Sequence, residues 1–361
     1  MKYLLIDTSN MFFRARHSAH RASDTWTKLG FALQVTMMSA NKVARNFGAD
    51  HVVFALEGRS WRKDAYKPYK ANRAEARQAM SETEAEEDKL FWETYDELTK
   101  YLSTKTNCSV IRCATAEADD VIARWIALHP QDEHTVVSSD SDFVQLVAPN
   151  VRLYNGITDT LFTTEGAFDN KGRKLAFEIK SDSKIRVGKP DDDFVAPKDY
   201  QQWILFMKCM RGDAGDNVFS AYPGVRVKGT KNQVGLTEAF EDRDKKGYNW
   251  NNMMLQRWVD HNNVEHKVLD DYERNVSLID LTAQPSNVKD IVDAAIREQI
   301  SHKDIGMVGA HFLKFCGRYE LNKLSEQADA IGRWLNQTYK GVLDDSSKTG
   351  HRQAVLDPQA G

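Results

Sequence analysis

Acidic side chains follow three predicted strands of this chain, close to the point where each strand ends. Asp7 and Glu57 come directly after short apolar runs, and Asp140 stands shortly after another. In sheets of parallel strands, ligand sites lie outside the carboxyl ends of the strands. We therefore expect these three carboxylates to meet at one edge of a sheet.

Three short motifs add further carboxylates to this group. Its other members are Glu117, Asp119 and Asp120 in one motif, Asp142 beside Asp140 in a second, and Asp213 and Asp216 in a third. A single acid in the first turn of a helix usually does no more than favour the helix dipole, by about 0.3–1 kcal/mol. Many carboxylates at one edge instead repel one another, and their pKa values rise unless cations neutralise them. The group as a whole therefore predicts bound cations.

Oxygen ligands of this kind favour a hard divalent cation. Mg²⁺ binds a few carboxylate oxygens and keeps several waters, whereas the histidines and cysteines show no zinc-ligand spacing. Two such ions, about 3.5–4 Å apart, activate a water and stabilise the leaving oxygen of an in-line displacement at phosphorus. The pattern thus favours two Mg²⁺ ions, with Mn²⁺ as the expected substitute, and phosphodiester hydrolysis.

A basic segment with interleaved tyrosines comes after Glu57. Its members are Arg62, Lys63, Tyr66, Lys67, Tyr69, Lys70 and Arg73. Lysine and arginine hold phosphates and tyrosine stacks on bases, although a basic run is more often only a solvated face. The position of this run beside an acidic strand end favours nucleic-acid binding.

A turn rich in glycine and basic residues lies between helical stretches further along the chain. Its candidate DNA-binding residues are Gly224, Arg226, Lys228, Gly229 and Lys231. Glycine permits close approach of the backbone to phosphate, and the cations add charge that is independent of base sequence. By itself this turn is a weak signal.

The elements that must position these residues alternate between strand and helix. Apolar runs predict strands at 2–7, 51–56, 109–112 and 134–138, and helical spacing predicts helices near 29–47 and 116–128. This alternation predicts an α/β fold with a central, mostly parallel sheet flanked by helices. An alternating run within 155–197 predicts a hairpin insertion, and the chain reads as helical from Tyr200 onward, with helices at 264–279 and 291–300.

The composition excludes several classes of protein. Hydrophobic residues make up 41% and charged residues 28% of the 361 residues, as in an ordinary globular protein rather than a disordered one. No apolar run approaches about 18 residues and no signal-peptide pattern is present, so we expect a cytoplasmic protein without membrane contact. The four cysteines, none in C-x-x-C spacing, suggest no disulfide framework.

Taken in order, the motifs resemble those of the flap endonuclease and 5′-nuclease family, most closely its bacteriophage-type ribonuclease H members. The matching segments are Leu5-Ile6-Asp7, Tyr69 to Arg73, Glu117 to Asp120, Ser139 to Asp142 and Gly212 to Asn217. The resemblance is dense over 1–147 and 203–232. The ordered set is far more specific than any one member.

The resemblance implies a domain organisation. It implies a PIN-like nuclease domain over 1–197 that includes a helical arch at 59–104, and a helix-hairpin-helix (H3TH) DNA-binding domain over 198–340. A flexible tail is expected over 341–361. The glycine turn at 224–231 would also offer carbonyl groups to a K⁺ ion.

The resemblance also implies roles for the site residues. The first metal group would be Asp7, Glu57, Glu117, Asp119 and Asp140, and the second would be Asp142, Asp213 and Asp216, with Asp120 supporting one or both. Lys70 and Arg62 would contact the scissile phosphate. Three departures from the family pattern stand out: Glu57 replaces the usual aspartate, the hairpin has extra residues at 219–222, and the 155–197 insertion carries no recognisable motif.

The function expected from this resemblance is removal of RNA primers or 5′ flaps during DNA replication. Substrates would be branched, nicked or flapped DNA and RNA–DNA hybrids, in a bacteriophage-infected cell, with a polymerase or single-strand-binding protein acting in trans. A PIN-type single-strand endoribonuclease is an alternative, but that class lacks the duplex-holding unit at 212–232. A catalytically silent branched-DNA-binding protein is another, which the complete carboxylate set disfavours.

Overall fold

A computed structural model describes residues 1–18, 24–300 and 303–344 of the chain. The expected flexible tail at 341–361 lies outside the described residues, apart from its first four. Among the described residues, no helix is both long and apolar enough to cross a bilayer.

An eight-stranded sheet forms the centre of the fold, with the strand order β3-β2-β1-β4-β5-β6-β7-β8. Its strands are β1 (Lys2–Asp7), β2 (His51–Leu56), β3 (Ser109–Arg112), β4 (Glu133–Val137), β5 (Val151–Asn155), β6 (Thr160–Thr163), β7 (Gly166–Phe168) and β8 (Lys174–Leu175). The first five are parallel, and the last three continue the sheet antiparallel. Two small hairpins pair β9 (Phe177–Ile179) with β10 (Ile185–Val187) and β11 (Arg257–Val259) with β12 (Glu265–Lys267).

Fourteen α-helices and one 3₁₀-helix, at Ser141–Leu146, surround the sheet in the described residues. In chain order the α-helices are α1 (Thr8–Ser18), α2 (Thr25–Phe47), α3 (Arg62–Ala65), α4 (Ala71–Gln78), α5 (Glu82–Lys105), α6 (Ala118–Leu128), α7 (Tyr200–Arg211), α8 (Leu236–Glu241), α9 (Tyr248–Met254), α10 (Val268–Ile279), α11 (Ser286–Gln299), α12 (Val308–Arg318), α13 (Asn322–Ser325) and α14 (Ala328–Leu335). The predicted α/β class with a mostly parallel, helix-flanked sheet is confirmed.

The register of the central strands brings the predicted acids together. Ile6 in β1 stands opposite Phe54 in β2 and Val137 in β4, so the residues just beyond β2 and β4 flank Asp7. The position of β1 in the sheet is fixed because its successive side chains pack alternately into the two hydrophobic cores, one on each face. Leu4 and Ile6 pack on one face of the sheet, against α2 and α5, and the other face packs against α6 and α11.

Several element boundaries differ from the sequence expectation for local reasons. The helix predicted near 29–47 begins at Thr25, because Asp24 Oδ1 accepts a hydrogen bond from the Thr27 amide at 2.9 Å and caps it. The helix predicted over 264–279 begins only at Val268, because the preceding residues pair in β12. The helix predicted at 291–300 begins at Ser286, directly after Pro285, as is common at a helix start.

The helices at the end of the described chain return to the sheet. Phe312 of α12 and Trp334 of α14 are buried in the core that β1 and β2 share with α2. The Asn107 amide donates to the Leu335 carbonyl at 2.8 Å, and His51 Nδ1 lies 3.0 Å from the Gln337 carbonyl. Residues beyond 308 therefore complete the sheet's own core, while the boundaries of the 1–197 and 198–340 domains stay predictions.

Candidate active site

The side chain of Asp7, the last residue of β1, is fixed by three hydrogen-bond donors. Its carboxylate accepts hydrogen bonds from Ser138 Oγ at 2.9 Å, Ser9 Oγ at 3.3 Å and the Asn10 amide at 3.2 Å. Burial raises the pKa of Asp7 to about 6, and the negative charge of Glu57 adds to the rise. Binding of a proton or a cation at this position therefore relieves unfavourable buried negative charge.

Glu57, directly after β2, reaches the same edge of the sheet. Ser9 Oγ lies 3.1 Å from its Oε1, and the Ala118 amide donates to its Oε2 at 3.2 Å. Burial raises the pKa of Glu57, and Glu117 raises it further while Lys70 lowers it. Ser9 thus bridges two of the predicted ligands, a role that sequence reasoning did not foresee.

Glu117 caps the start of α6 and accepts hydrogen bonds from four side chains. Ser60 Oγ donates to it at 2.8 Å, Tyr69 Oη at 2.9 Å and Arg62 Nη1 at 3.1 Å, and Lys70 forms a short ion pair with it. Burial alone would raise the pKa of Glu117, but Lys70 and Arg62 lower it to about 2. This carboxylate is consequently ionised throughout the physiological range.

Asp119 and Asp120 stand side by side in sequence but face different surroundings. The Asp119 side chain is 23% exposed and lies in the cleft. Asp120 is fully buried, and its two oxygens accept from Arg62 at 2.9 Å each, from Trp61 Nε1 at 3.1 Å and from Gln284 Nε2 at 2.9 Å. Its acceptor sites are thus occupied by protein donors.

Arg62 lies beneath the cleft rather than at its surface. It is 1% exposed, and besides Asp120 it donates to the Leu278 carbonyl at 2.7 Å. A direct contact with a substrate phosphate would require Arg62 to leave these partners. In this structure it orients Glu117 and Asp120 instead.

The second group of acids is organised around a lysine that sequence reasoning missed. Lys208, on α7, forms a short ion pair with Asp142 and lies 2.9 Å from Asp213. Although burial lowers the pKa of Lys208, these two carboxylates raise it above its usual value. The only signal in the sequence was a cation within an otherwise apolar face of α7.

Asp140 and Asp142 open the 3₁₀-helix at 141–146. The Asp142 amide donates to Asp140 Oδ1 at 3.0 Å, so the two carboxylates are held close together. Burial raises the pKa of both, to about 6 for Asp142, where the charge of Asp140 adds to the effect. Burial would also raise the pKa of Asp213, but Lys208 lowers it.

Tyr69 and Asp216 connect the two groups of acids. Tyr69 Oη lies 2.8 Å from Asp216 and 2.9 Å from Glu117, and Arg73 donates to Asp216 at 2.7 Å. The Lys70 amide donates to the Asp216 carbonyl at 2.8 Å. The basic segment after β2 is therefore attached to the segment that carries the last two acids.

These side chains line one cleft of about 770 Å³. Its acidic lining residues are Asp7, Glu57, Asp96, Glu117, Asp119, Asp140, Asp142 and Asp216, and its basic ones are Lys63, Lys70, Arg73, Arg77 and Arg112. Asp120 and Asp213 do not line it but hold residues that do. An acidic floor with cations around it is the arrangement expected for binding divalent ions together with a phosphodiester.

The predicted DNA-binding turn lies apart from these lining residues. The Gly229 amide donates to the Glu238 carboxylate, with distances of 3.0 and 2.9 Å to its two oxygens, and the Gly235 amide donates to it at 3.0 Å. The Gly229 amide is thus engaged within the protein. The exposed cations of the turn are what it offers to a phosphate backbone.

A divalent metal fits the residues of the cleft. One oxygen each of Glu117, Asp119 and Asp120 lies within 4.8 Å of the other two. Of these three, Glu117 and Asp119 line the cleft and could share a cation there, whereas Asp120 is already bound by Arg62, Trp61 and Gln284. The raised pKa values of Asp7, Glu57, Asp140 and Asp142 show that the buried negative charge is incompletely balanced by Lys70 and Lys208. All donors are oxygens, which favours a hard cation.

Comparison with known proteins identifies a matching family. Residues 2–172 match the 5′-3′ exonuclease N-terminal, resolvase-like domain. Flap endonuclease Xni of Shewanella loihica is 26% identical over 243 residues, which cover 66% of this chain and 77% of that protein. A 5′-3′ exonuclease of Mycoplasmopsis pulmonis is 25% identical over 246 residues, covering 66% and 68%. DNA polymerase I of Rhizobium leguminosarum is 28% identical over 197 residues, 54% of this chain but only 15% of that much longer protein.

Solved structures share the fold. The zinc-bound T5 5′-exonuclease superposes with a TM-score of 0.54 at 18% identity, covering 83% of this chain and 99% of that one. The bacteriophage T5 flap endonuclease in a pseudo-enzyme-product complex with DNA and metal ions gives 0.55 at 17% identity, covering 83% and 98%. These structures show that the fold is shared, and the match over residues 2–172 together with the sequence relatives confirms the resemblance inferred from the ordered motifs.

Proposed function

Since the chain resembles the flap endonuclease and 5′-nuclease family in its ordered motifs and matches the 5′-3′ exonuclease N-terminal domain over residues 2–172, we propose that it belongs to this family and is a divalent-metal-dependent 5′ nuclease that hydrolyses phosphodiesters. One observation carries the proposal: acids from three strand ends and from the segment at 213–216 converge in a single cleft with cations around it. A silent DNA-binding protein has no need for so much buried, partly unbalanced negative charge, which is costly to a fold.

The metal is Mg²⁺ in this proposal, with two ions bound and Mn²⁺ able to substitute. Asp7, Glu57, Glu117, Asp119 and Asp140 would hold one ion, and Asp142, Asp213 and Asp216 would hold the other. When bound, such ions lower the pKa of an attacking water and stabilise charge on the leaving oxygen. Asp120 supports this set by fixing Arg62 and the start of α6.

The chain's own cations prepare the acids for this task. Lys70 keeps Glu117 ionised, and Lys208 holds Asp142 and Asp213 in place. Lys70 adopts a left-handed backbone conformation, with φ of 53°, at the start of α4. This conformation turns the chain so that the Lys70 side chain stays at the cleft, where a scissile phosphate would meet it.

The nucleic acid is held by cations on both parts of the chain. The arch would comprise residues 59–104, with α4 and α5, and its candidate contacts are Lys63, Tyr66, Lys67 and Arg73. Tyr69, which the sequence also predicted as a contact, is 3% exposed and its hydroxyl is bonded to Glu117 and Asp216, so its ring is not available for stacking on a base. The helix-hairpin-helix turn would bind a duplex through Arg226, Lys228 and Lys231, with a K⁺ ion at its carbonyls. Exposed lysines and arginines on both segments support this arrangement.

The substrates in this proposal are branched, nicked or flapped DNA and RNA–DNA hybrids. The biological role is removal of primers or 5′ flaps during replication, in the cytoplasm of a bacteriophage-infected cell. A polymerase or single-strand-binding protein would act in trans.

The test is product-length measurement on 5′-labelled flap, nick and hybrid substrates with Mg²⁺. We expect short 5′ products from all three and none in EDTA. Asp140→Asn should abolish cleavage while leaving duplex binding in Ca²⁺ within about threefold, because phosphate contacts by cations dominate affinity. Binding that disappears together with cleavage would contradict the assigned roles, and cleavage restricted to single-stranded RNA would favour a PIN-type endoribonuclease.

A further inference from the structure

Phe219 is an exposed aromatic side chain next to the acidic cleft. It is 57% exposed, whereas most phenylalanines of the described chain are buried in the cores. It lies in the 219–222 segment that departs from the family pattern. Its ring lies edge-on to Tyr66, with ring centroids 6.2 Å apart and an interplanar angle of 84°.

The backbone that carries this ring is firmly held. Val218 exchanges two hydrogen bonds with Asp213, at 2.9 and 2.8 Å. The Phe219 carbonyl accepts from Asn275 Nδ2 at 2.8 Å and from Arg274 Nη2 at 3.2 Å. Asn275 is itself fully buried. The ring is therefore presented to solvent by a fixed backbone rather than by a loose loop.

Close packing beneath the segment adds to this rigidity. Gly212 has φ of 76°, and a Cβ atom at this position would lie 2.2 Å from the Val218 carbonyl oxygen and 2.7 Å from the Phe219 carbonyl carbon. Only glycine fits there. The absence of a side chain at Gly212 thus lets the 218–219 backbone pack closely against the end of α7.

Phe219 is close in sequence to a residue of the cleft, which limits which part of a bound substrate could contact its ring. Asp216, which lines the cleft, is three residues away, so the two Cα atoms are at most about 11 Å apart. Consecutive nucleotides of a duplex strand advance by about 3.4 Å along the helix axis. Once the reach of both side chains is added, the ring lies within a few nucleotides of a phosphodiester bound beside Asp216.

The neighbours of the ring favour a nucleobase as the occupant. The Arg274 guanidinium lies 5.3 Å from the Tyr66 ring centre, and the segment that carries Tyr66 is rich in exposed cations that attract phosphates. An aromatic face beside a cationic groove is the arrangement that binds bases without regard to sequence. We propose that Phe219 is a stacking site for one substrate nucleobase near the scissile phosphate, an inference that rests on the nuclease function proposed above.

The test places 2-aminopurine, singly, at each of the three positions on either side of the cut site of a flap substrate. Fluorescence is measured in Ca²⁺ for the native protein and for Phe219→Ala, Phe219→Leu and Phe219→Trp, and cleavage kinetics are measured in Mg²⁺. Leucine retains the apolar contact with Tyr66 but has no aromatic face. Phe31→Ala is the matched control, because Phe31 is 40% exposed on α2, which contributes none of the described cleft-lining residues.

If Phe219 stacks on a base, the 2-aminopurine fluorescence should be quenched at one substrate position, in the native protein and in Phe219→Trp. The quenching should be lost in Phe219→Ala and Phe219→Leu, with KM raised about 5- to 150-fold and kcat changed less than KM. If Phe219→Ala keeps the native signal and the native KM, the stacking site is refuted while the nuclease function stands. If the native protein shows no Mg²⁺-dependent cleavage, the nuclease function itself fails.

Discussion

Arg62 and Asp120 form a fully buried, bidentate ion pair beneath the acidic cleft, and both nitrogen–oxygen distances are 2.9 Å. Removing one partner of such a pair leaves an uncompensated charge in the interior and typically costs about 3–5 kcal/mol. We therefore expect Arg62→Met to lower the free energy of unfolding by about that amount in urea titrations. Arg59→Met is the control, since the Arg59 ion pair with Asp64 is exposed and should change stability little. Equal stability of the two variants would contradict the structural role of Arg62.

Lys208 predicts a link between metal binding and stability. In the metal-free protein its ammonium group separates Asp142 from Asp213, so Lys208→Met leaves two neighbouring carboxylates without a cation. We expect a lower Tm in EDTA and a larger rise in Tm on adding Mg²⁺ than in the native protein, because only the folded state binds the ion. Lys28→Met, which removes an ion pair with Glu87, is the control. A Mg²⁺ response the same as the native one would argue against this link.

Replacing Lys70 should lower the catalytic rate, because of where its ammonium group lies. It pairs with Glu117 and lines the cleft, where it can stabilise developing negative charge on a phosphate. Loss of one such preorganised group typically lowers kcat by about 10²–10³-fold. We expect Lys70→Met to do so on a flap substrate, while exposed Lys67→Met changes mainly KM and its salt dependence. Comparable kcat values for the two variants would be inconsistent with this assignment.

Asp7 predicts a specific pH dependence of stability in EDTA. Its pKa is raised from 3.8 to about 6 in the folded protein, so the folded state binds the proton more tightly than the unfolded state. The carboxyl therefore reduces stability progressively as pH rises from about 4 through 6, by about 3 kcal/mol at most. Asp7→Asn lacks this charge and should be more stable than the native protein at pH 7.5, with the difference disappearing near pH 4. A difference independent of pH would contradict the raised pKa.

The burial of His134, near the opposite end of the parallel strands from Asp7, gives the opposite pH dependence of stability. His134 is buried beside Tyr3 and His129, and burial lowers its pKa to about 4, with the charge of His129 adding to the effect. Because the unfolded state binds the proton more tightly, the imidazole reduces stability as pH falls from about 6.5 to 4. His134→Phe should therefore lose less stability than the native protein between pH 7 and pH 5. His261→Phe, at an exposed position, should follow the native curve in the same thermal unfolding series.

The convergence of the acids could be predicted because it follows from topology. Parallel strands end at one edge, so Asp7, Glu57 and Asp140 are brought together by the same rule that predicts the sheet. The burial of Arg62 could not be predicted, because a basic run is normally solvated and its partner Asp120 is distant in sequence. Lys208 was missed for a related reason: the pattern of α7 shows which face is apolar but not which carboxylates lie opposite it.

The packing partner of the last helices could not be predicted from the sequence either. Amphipathic spacing in α12 and α14 shows that each has a face to bury, but not whether that face meets α7 to α10 or the sheet. Phe312 and Trp334 join the sheet's core, which brings residues more than 250 positions apart into contact. Contacts over such separations depend on the shape of the whole fold, and no local pattern encodes them.

The cleft draws its acids from both ends of a long stretch of chain, with Asp7 at one extreme and Asp216 at the other. On the proposed function, this arrangement sets the moment at which activity appears during translation. A nascent polypeptide that stops short of Lys208 lacks the groups that complete the second half of the centre, and one that stops short of α14 still lacks part of the core that supports the sheet. The nuclease would therefore stay inactive on the ribosome until its last helices have been made, which protects nearby nucleic acids from an incomplete enzyme.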